Sequence, residues 1–573
     1  MKKLKTLARR TAGLCLSVLL IVPTLAVEPL STGQRQEDLD FLYEKVLVEN
    51  HPNAFANTPE SEFLALKAEI EDRLEQSSGT EFLLDLMRLT ALVGDSHTQI
   101  SVGSLADFRG YPFTMVRRGE KWYLSSVIPE DRDLLCQEVT ALAGKPVEEI
   151  IEAYGTLFSS DNPVHLRRQF RQSCNVADIY EYLGLVKAGE PLSVTLKNGK
   201  SLSLEPLSLE SMNQLEAVRI SDVIKGEPKT AAADAYYLAK PLSEEAYYIQ
   251  YNTCQEAEDL SMEDFAAAVA KDLTAGQYSR VLLDLRNNGG GSDGVIWPLL
   301  EVLRKAMDGG TKLVGLIGER TFSSALINAV EIGEMGGVLA GEPAGGSVCH
   351  FGAVHTFTLP NSKVRGQLSS KFIDLNTLLD AAAGRGVEAL EPDVLVYQTM
   401  EDTLNGKDSL VEWCLTAPAQ QLVPANHYDA PLTRGRFLGQ LYEAAGSPAV
   451  ELEELPFADS FGIEWYLPAV AWAKAAGIAR GGAEGAFSAA RPLTWREAAV
   501  FLARAAEVLG VSAVDPSKER RGPIPAALAQ GWEQSAVTEA WDLGLLPADA
   551  DFARGLTRSQ GEELAAALAG RIG

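Results

Sequence analysis

Two adjacent serines, Ser323 and Ser324, stand where the loop GERTF runs into the apolar stretch ALINAVEIG. A serine hydroxyl attacks a carbonyl only if a base takes its proton, and the resulting anion needs donors aimed at it. A helix beginning at these serines would place free amides and the positive end of its dipole beside the hydroxyls. A plain helix cap is the competing use of Ser323. A second stretch, VLLDLRNNGGGSDG at 281–294, carries Asp284, Arg286, Asn287 and Asn288 and then three glycines. Glycine lets the chain turn sharply and leaves its amides unobstructed, so this loop can hold an oxyanion or simply connect a strand to a helix. The GK[ST] of a phosphate loop is absent. For the base there are six histidines: His51, His97, His165, His350, His355 and His427. His97 stands out in GDSHT, after a helix stop and among Asp95, Ser96 and Thr98, while His350 in CHFG lies nearer the serines in sequence. Both remain candidates at this level.

These residues must be positioned by elements that the pattern suggests. Residues 35–94 carry apolar side chains at helical spacing, and the last of these helices stops at Gly94 before a strand-like HTQISV. Residues 111–205 alternate as hairpins, one around RRGEK and one around Asn198-Gly199, with a strand, turn and helix in EVTALAGKPVEEIIEAYG. From 245 to 418 short β-rich runs alternate with helical ones, which predicts a largely parallel sheet with crossovers.

The full chain has 573 residues, so it should divide into more than one core. Its first residues, MKKLKTLARR followed by TAGLCLSVLLIVPTLA, have the basic, apolar and small-residue parts of a secretory signal, and the apolar run is short for a bilayer span. The formal charge is −27 and residues 1–26 hold five basic and no acidic residues, so the mature chain is near −27 − 5 = −32. That balance speaks against nucleic acid or anionic lipid as partners, and no transmembrane span is expected in the mature chain. The five cysteines beyond the signal are widely spaced and odd in number, without a CxxC pair, which points to buried thiols rather than a disulfide scaffold or zinc site.

Taken together, GDSHT, VLLDLRNNGGG, TFSSALINA, LAGEPAGG and FTLPNS resemble, in order and spacing, the C-terminal-processing and tricorn-core serine peptidases over roughly residues 35–400. The resemblance implies a multidomain α/β chain with a helical N-terminal part (27–105), a PDZ-like domain (106–210) and a crotonase-like peptidase core (211–418). One branch of that family pairs its serine with a lysine after the GEP turn; here Ser347 occupies the position. The other branch implies Ser323 as nucleophile, His97 as base and Ser96 as the group that orients it. Ser324 with Gly289 or Gly290 would then supply the oxyanion hole. The family glutamate has no clean match, and Glu388 and Glu391 are the nearest candidates. The implied activity is serine endopeptidase hydrolysis of a protein or peptide, with no metal or organic cofactor; a catalytically inactive peptide-binding protein and an esterase are the alternatives.

After a linker at 419–430 the composition becomes Ala-rich and helical, and a motif repeats. Its threonines, Thr433, Thr494 and Thr557, are 494 − 433 = 61 and 557 − 494 = 63 residues apart. With FADSFGIEWYLPAVAWAKAAGIARGGAEGAFSAARPLTWRE, residues 431–573 resemble surface-layer-homology repeats. That resemblance implies an all-α domain binding an anionic cell-wall polymer through Arg434, Trp495 and Arg558, and hence a secreted, envelope-associated protein.

Overall fold

The computed structural model describes residues 30–100, 108–226, 230, 235–375, 389–422, 424, 432–450, 456–457, 466–482, 485–489, 491–511, 522–529, 531–548, 550, 552 and 555–572. The signal-like segment and Glu388 lie outside these residues, as does the side chain of Arg558. The chain forms two compact units, one of residues 1–373 with 385–425, the other of 374–384 with 426–573.

In the first unit a six-stranded sheet runs in the order Tyr237–Pro241, Ala246–Tyr251, Arg280–Asp284, Lys312–Ile317, Val338–Gly341, Val394–Leu395. Its first pair is antiparallel and every later pair parallel. The parallel strands are buried on both faces and correspondingly rich in Val, Leu and Ile. Crossover helices Met262–Gly276, Trp297–Asp308 and Ser324–Glu334 join them. The segment Ser409–Thr416 closes a small apolar core with Tyr248, Leu282, Val314 and Leu316. Arg286, bonded to both Asp284 (2.6 Å) and Asp408 (2.7 Å), ties that helix to the end of a central strand.

The N-terminal helices Thr32–Asp40, Glu60–Glu71 and Gly79–Ala91 share one apolar core with the β-rich region. In that region the strands Thr114–Arg118 and Lys121–Val127 form one hairpin and Leu192–Leu196 and Ser201–Leu204 another, the latter around Asn198-Gly199 with Gly199 at φ 83°. A third, three-stranded sheet joins Gln99–Ile100 to Arg365–Asp374 and Cys349–Thr358. Because Gln99 follows His97 by two residues and His350 lies at the start of Cys349–Thr358, this sheet brings the two histidines together.

The second unit contains the three threonine motifs. Each precedes a helix: Arg434–Ala444, Trp495–Val508 and Arg558–Ala569. The residue before each threonine is a leucine, and their backbones close a ring. Leu432 N–H donates to Leu556 O (2.7 Å), Leu556 N–H to Leu493 O (3.2 Å), and Leu493 N–H to Leu432 O (2.7 Å). The three repeats therefore meet about a quasi-threefold arrangement of backbone bonds, above a core of Leu432, Phe437, Leu493, Trp495, Leu556 and their neighbours. Two residues expected to face a polymer are turned inward. Trp495 is 2% exposed and packs against Phe552, with ring centroids 5.1 Å apart. Arg434 donates to Glu497 (2.6 Å) and Phe487 O (3.0 Å) and lies over the Phe487 ring. Neither side chain is disposed for an external ligand, because the leucine ring draws the start of each helix into the core.

No helix among the described residues is long and apolar enough to cross a membrane. The five described cysteines are free thiols, three of them buried.

Candidate active site

Ser323 ends the loop after strand Lys312–Ile317 and immediately precedes the helix Ser324–Glu334. Its backbone has φ 54° and ψ −131°, a conformation that costs a non-glycine residue about 1–3 kcal/mol. Its side chain makes no capping bond, so the competing use as a helix cap is not realised. The hydroxyl of Ser324 instead donates to Gly291 O (2.8 Å), anchoring the helix start to the glycine loop. That loop lies hard against the serine: a Cβ on Gly290 would sit 2.7 Å from Ser323 Cβ and 3.2 Å from its Oγ. A Cβ on Gly291 would meet Cys254 O at 2.3 Å, so glycine is required at both.

The two expected glycine donors differ. The Gly290 N–H is engaged, donating to Asn288 Oδ1 (2.9 Å), and Asn288 is itself buried and donates to Tyr251 O (3.0 Å). Gly289 is exposed, with open space beside its Cα. Gly289 and Ser324 thus fit the oxyanion role better than Gly290.

His97 is buried; neither ring nitrogen has a partner in good hydrogen-bond geometry, although the Phe351 backbone lies close enough to favour the charged ring. Its ring lies between Phe322, centroids 4.3 Å apart at 23°, and His350, 5.3 Å apart at 18°. Phe322 is the residue before Ser323, so the imidazole stacks on that serine's immediate neighbour. Burial first, then the adjoining His350, push its pKa down to about 3, which keeps the ring neutral and able to accept a proton at neutral pH.

The nearest acid is Asp95, with Oδ1 4.0 Å from His97 Nδ1 and accepting the His97 backbone N–H at 2.8 Å. Its other oxygen accepts from Thr98 Oγ1 (2.5 Å) and Ser369 Oγ (2.6 Å) and lies 3.3 Å from His51 Nε2. Burial opposes ionisation there, yet these bonds and His97 hold the carboxyl below its usual range.

Ser96, expected to orient His97, makes no hydrogen bond to its ring. Ser96 Oγ donates to Asp161 Oδ1 (2.6 Å) and accepts the Asp161 N–H (3.1 Å). Ser347, in the position of the family lysine, donates to the same Asp161 oxygen (2.8 Å), and Asn162 Nδ2 donates to Ser347 Oγ (2.9 Å). These bonds lock three loops together. His350 donates from Nδ1 to Ser347 O (2.6 Å), so it stacks on His97 as a held ring; burial lowers its pKa despite nearby Asp161. Glu391 is exposed and makes no bond to His97.

Asp95, Asp161, His165 and Phe322 had no role assigned from sequence. Asp95 belongs to the GDSHT stretch. Asp161 could have been flagged by the following Asn162-Pro163, a helix-start pair, since Asn162 accepts from His165 N–H (2.8 Å) at the head of helix Pro163–Ser173. Nothing local marks Phe322, whose role is contact with a ring from a remote segment.

No family description matches the chain, and no curated protein matches it. Among solved structures the chain is similar to mature CPAF, at 12% identity over 65% of this chain and 95% of that one, with a TM-score of 0.45. The CPAF complex with lactacystin gives 12% identity, the same coverage and a TM-score of 0.44. A photosystem II D1 C-terminal processing protease gives 13% identity over 64% of this chain and 92% of that one, with a TM-score of 0.29. These likenesses are distant.

Proposed function

We propose that the protein is a serine peptidase in which Ser323 attacks the substrate carbonyl and His97 takes its proton. One observation carries this reading: Ser323 is held in a positive-φ conformation, with its hydroxyl unused as a cap, and the residue before it, Phe322, stacks on a buried imidazole whose nitrogens hold no side-chain partner. A structural serine has no need of that backbone, and a structural buried histidine normally has a partner. His97 then returns the proton to the leaving amine, as in other serine hydrolases. The amides of Gly289 and Ser324 receive the oxyanion at the start of the helix, and Asp95 faces the imidazolium that forms. The six-stranded region acts as a crotonase-like core and the β-rich region as a PDZ-like domain.

Residues 1–26 direct export, and residues 431–573 tether the protein to the bacterial cell envelope as surface-layer-homology repeats. Support for the tether is the threefold recurrence of the leucine-threonine motif and its closed ring. Since Arg434 and Trp495 face inward, the polymer would be met by other residues of these repeats.

A fluorophosphonate probe tests the nucleophile: the wild type should label and Ser323→Ala should not. Equal labelling of both, or none of the wild type, rejects the assignment. A catalytically silent peptide-binding protein is favoured by one observation, that no carboxylate accepts a hydrogen bond from the His97 ring; absence of labelling together with retained peptide binding would select it. Turnover of esters but not peptides would indicate an esterase.

A further inference from the structure

The helix Pro163–Ser173 begins inside the site, where Asn162 caps it, and carries LRRQFRQ outward. His165, Arg168 and Arg171 follow at intervals of three, so they line neighbouring positions on one helix surface. His165 lies against Phe322, with ring centroids 5.1 Å apart, and the Arg168 guanidinium carbon is 6.0 Å from the centre of the same ring. Arg320, two residues before Phe322, is exposed. Arg171 bonds Glu319 at 2.8 Å. Among the described residues no carboxylate pairs with Arg168 or Arg320, and the buried Nε atoms of Arg167 and Arg171 have no partner.

A half-buried guanidinium with no carboxylate bonded to it is unfavourable, because it loses hydration; the one acid whose charge reaches Arg168, Glu319, is already bonded to Arg171 and is outnumbered by Arg168, Arg171 and Arg320. Burial first, then Arg320, depress the Arg168 pKa to about 10. The arrangement also runs against the rest of the molecule, whose formal charge is −27. An acidic protein repels acidic peptides everywhere except where it concentrates arginines. Here they gather one ring away from the nucleophile, and the planar donor fork of arginine suits a carboxylate in two-point contact.

We propose that Arg168, beside the Phe322 ring, and the neighbouring Arg320 form a subsite for a side-chain carboxylate of the peptide cleaved at Ser323. This rests on the serine peptidase reading and adds a substrate class to it: peptides with an acidic side chain close to the scissile bond. Arg171 is held by Glu319 and supports the subsite without being its main donor.

The test uses the full chain with four matched peptides, Glu or Gln at one position, each with a free or amidated C-terminus. The wild type should favour the carboxylate by about tenfold in kcat/KM, expressed in KM, the size of one charge-assisted contact. The preference should shrink with added salt. Arg168→Gln should bring the ratio close to one, and Arg320→Gln, at an exposed position that spares folding, should reduce it. A ratio that follows Glu against Gln retains the subsite, and one that follows only amidation overturns it. Equal cleavage of all four by the wild type overturns the subsite, as does an equal loss on all four in Arg168→Gln. If no peptide is cleaved, the peptidase reading fails by itself. Fluorescence anisotropy of the same labelled peptides on Ser323→Ala then decides the subsite: about tenfold tighter binding of the Glu forms over the Gln forms retains it, and equal binding removes it.

Discussion

Ser323 keeps a backbone conformation that serine adopts only under constraint, and Gly290 is the neighbour whose missing side chain permits it. Gly290→Ala would force a Cβ to within 2.7 Å of Ser323 Cβ at φ 105°. It is expected to lower stability by about 2 kcal/mol and to abolish fluorophosphonate labelling; wild-type melting and labelling in this variant would contradict the tight contact. The base yields a pH prediction. The His97 pKa is lowered, so the imidazole stays in its proton-accepting form well below pH 6.5 and is lost only towards about 3. The labelling rate should therefore show no inflection near pH 6.5, and an ordinary histidine titration there would argue against this environment. So low a basicity also weakens proton abstraction, which makes the facing carboxylate of Asp95 valuable. Asp95→Asn should slow labelling by about a hundredfold and shift the acid limb, with the melting temperature recorded alongside to separate chemistry from folding. An unchanged pH profile would leave Asp95 a purely structural residue.

At the scale of elements, much was legible because the signals are local. The Asn198-Gly199 hairpin and the alternation of strand and helix from 245 onward were readable from turn chemistry and periodicity. So was the capping box of Thr494 and Glu497, with Glu497 N–H donating to Thr494 Oγ1 and Thr494 N–H to Glu497. Glu497 does more than the box required: it also binds Arg434 and Arg491, both from outside its own helix. Thr494→Ala should cost about 1 kcal/mol, whereas Glu497→Ala should cost about 3 kcal/mol, because it leaves the mostly buried Arg434 without its counter-charge. Denaturant midpoints of the second unit would measure both, and equal effects would reduce Glu497 to a cap.

For the whole molecule, the two units should separate in function. Removing residues 431–573 is expected to leave Ser323 labelling intact while releasing the protein from isolated cell-wall sacculi; retained binding to sacculi would place the tether elsewhere. Within the second unit the ring of Leu432, Leu493 and Leu556 makes the repeats interdependent. Truncation after residue 554 should therefore eliminate the unit's cooperative melting instead of trimming one helix, and persistence of that transition would show that the ring is dispensable. By itself the sequence determined the elements, the glycines that must turn sharply, the repeat and the candidate hydroxyl and imidazole, since each is written in a few contiguous residues. Which groups face one another was decided only by tertiary structure. Ser96 meets Asp161 rather than His97, Trp495 is core rather than surface, and Phe322 stacks on His97 next to Ser323. Each of these depends on packing between segments distant in the chain, where side-chain direction follows from how whole elements dock.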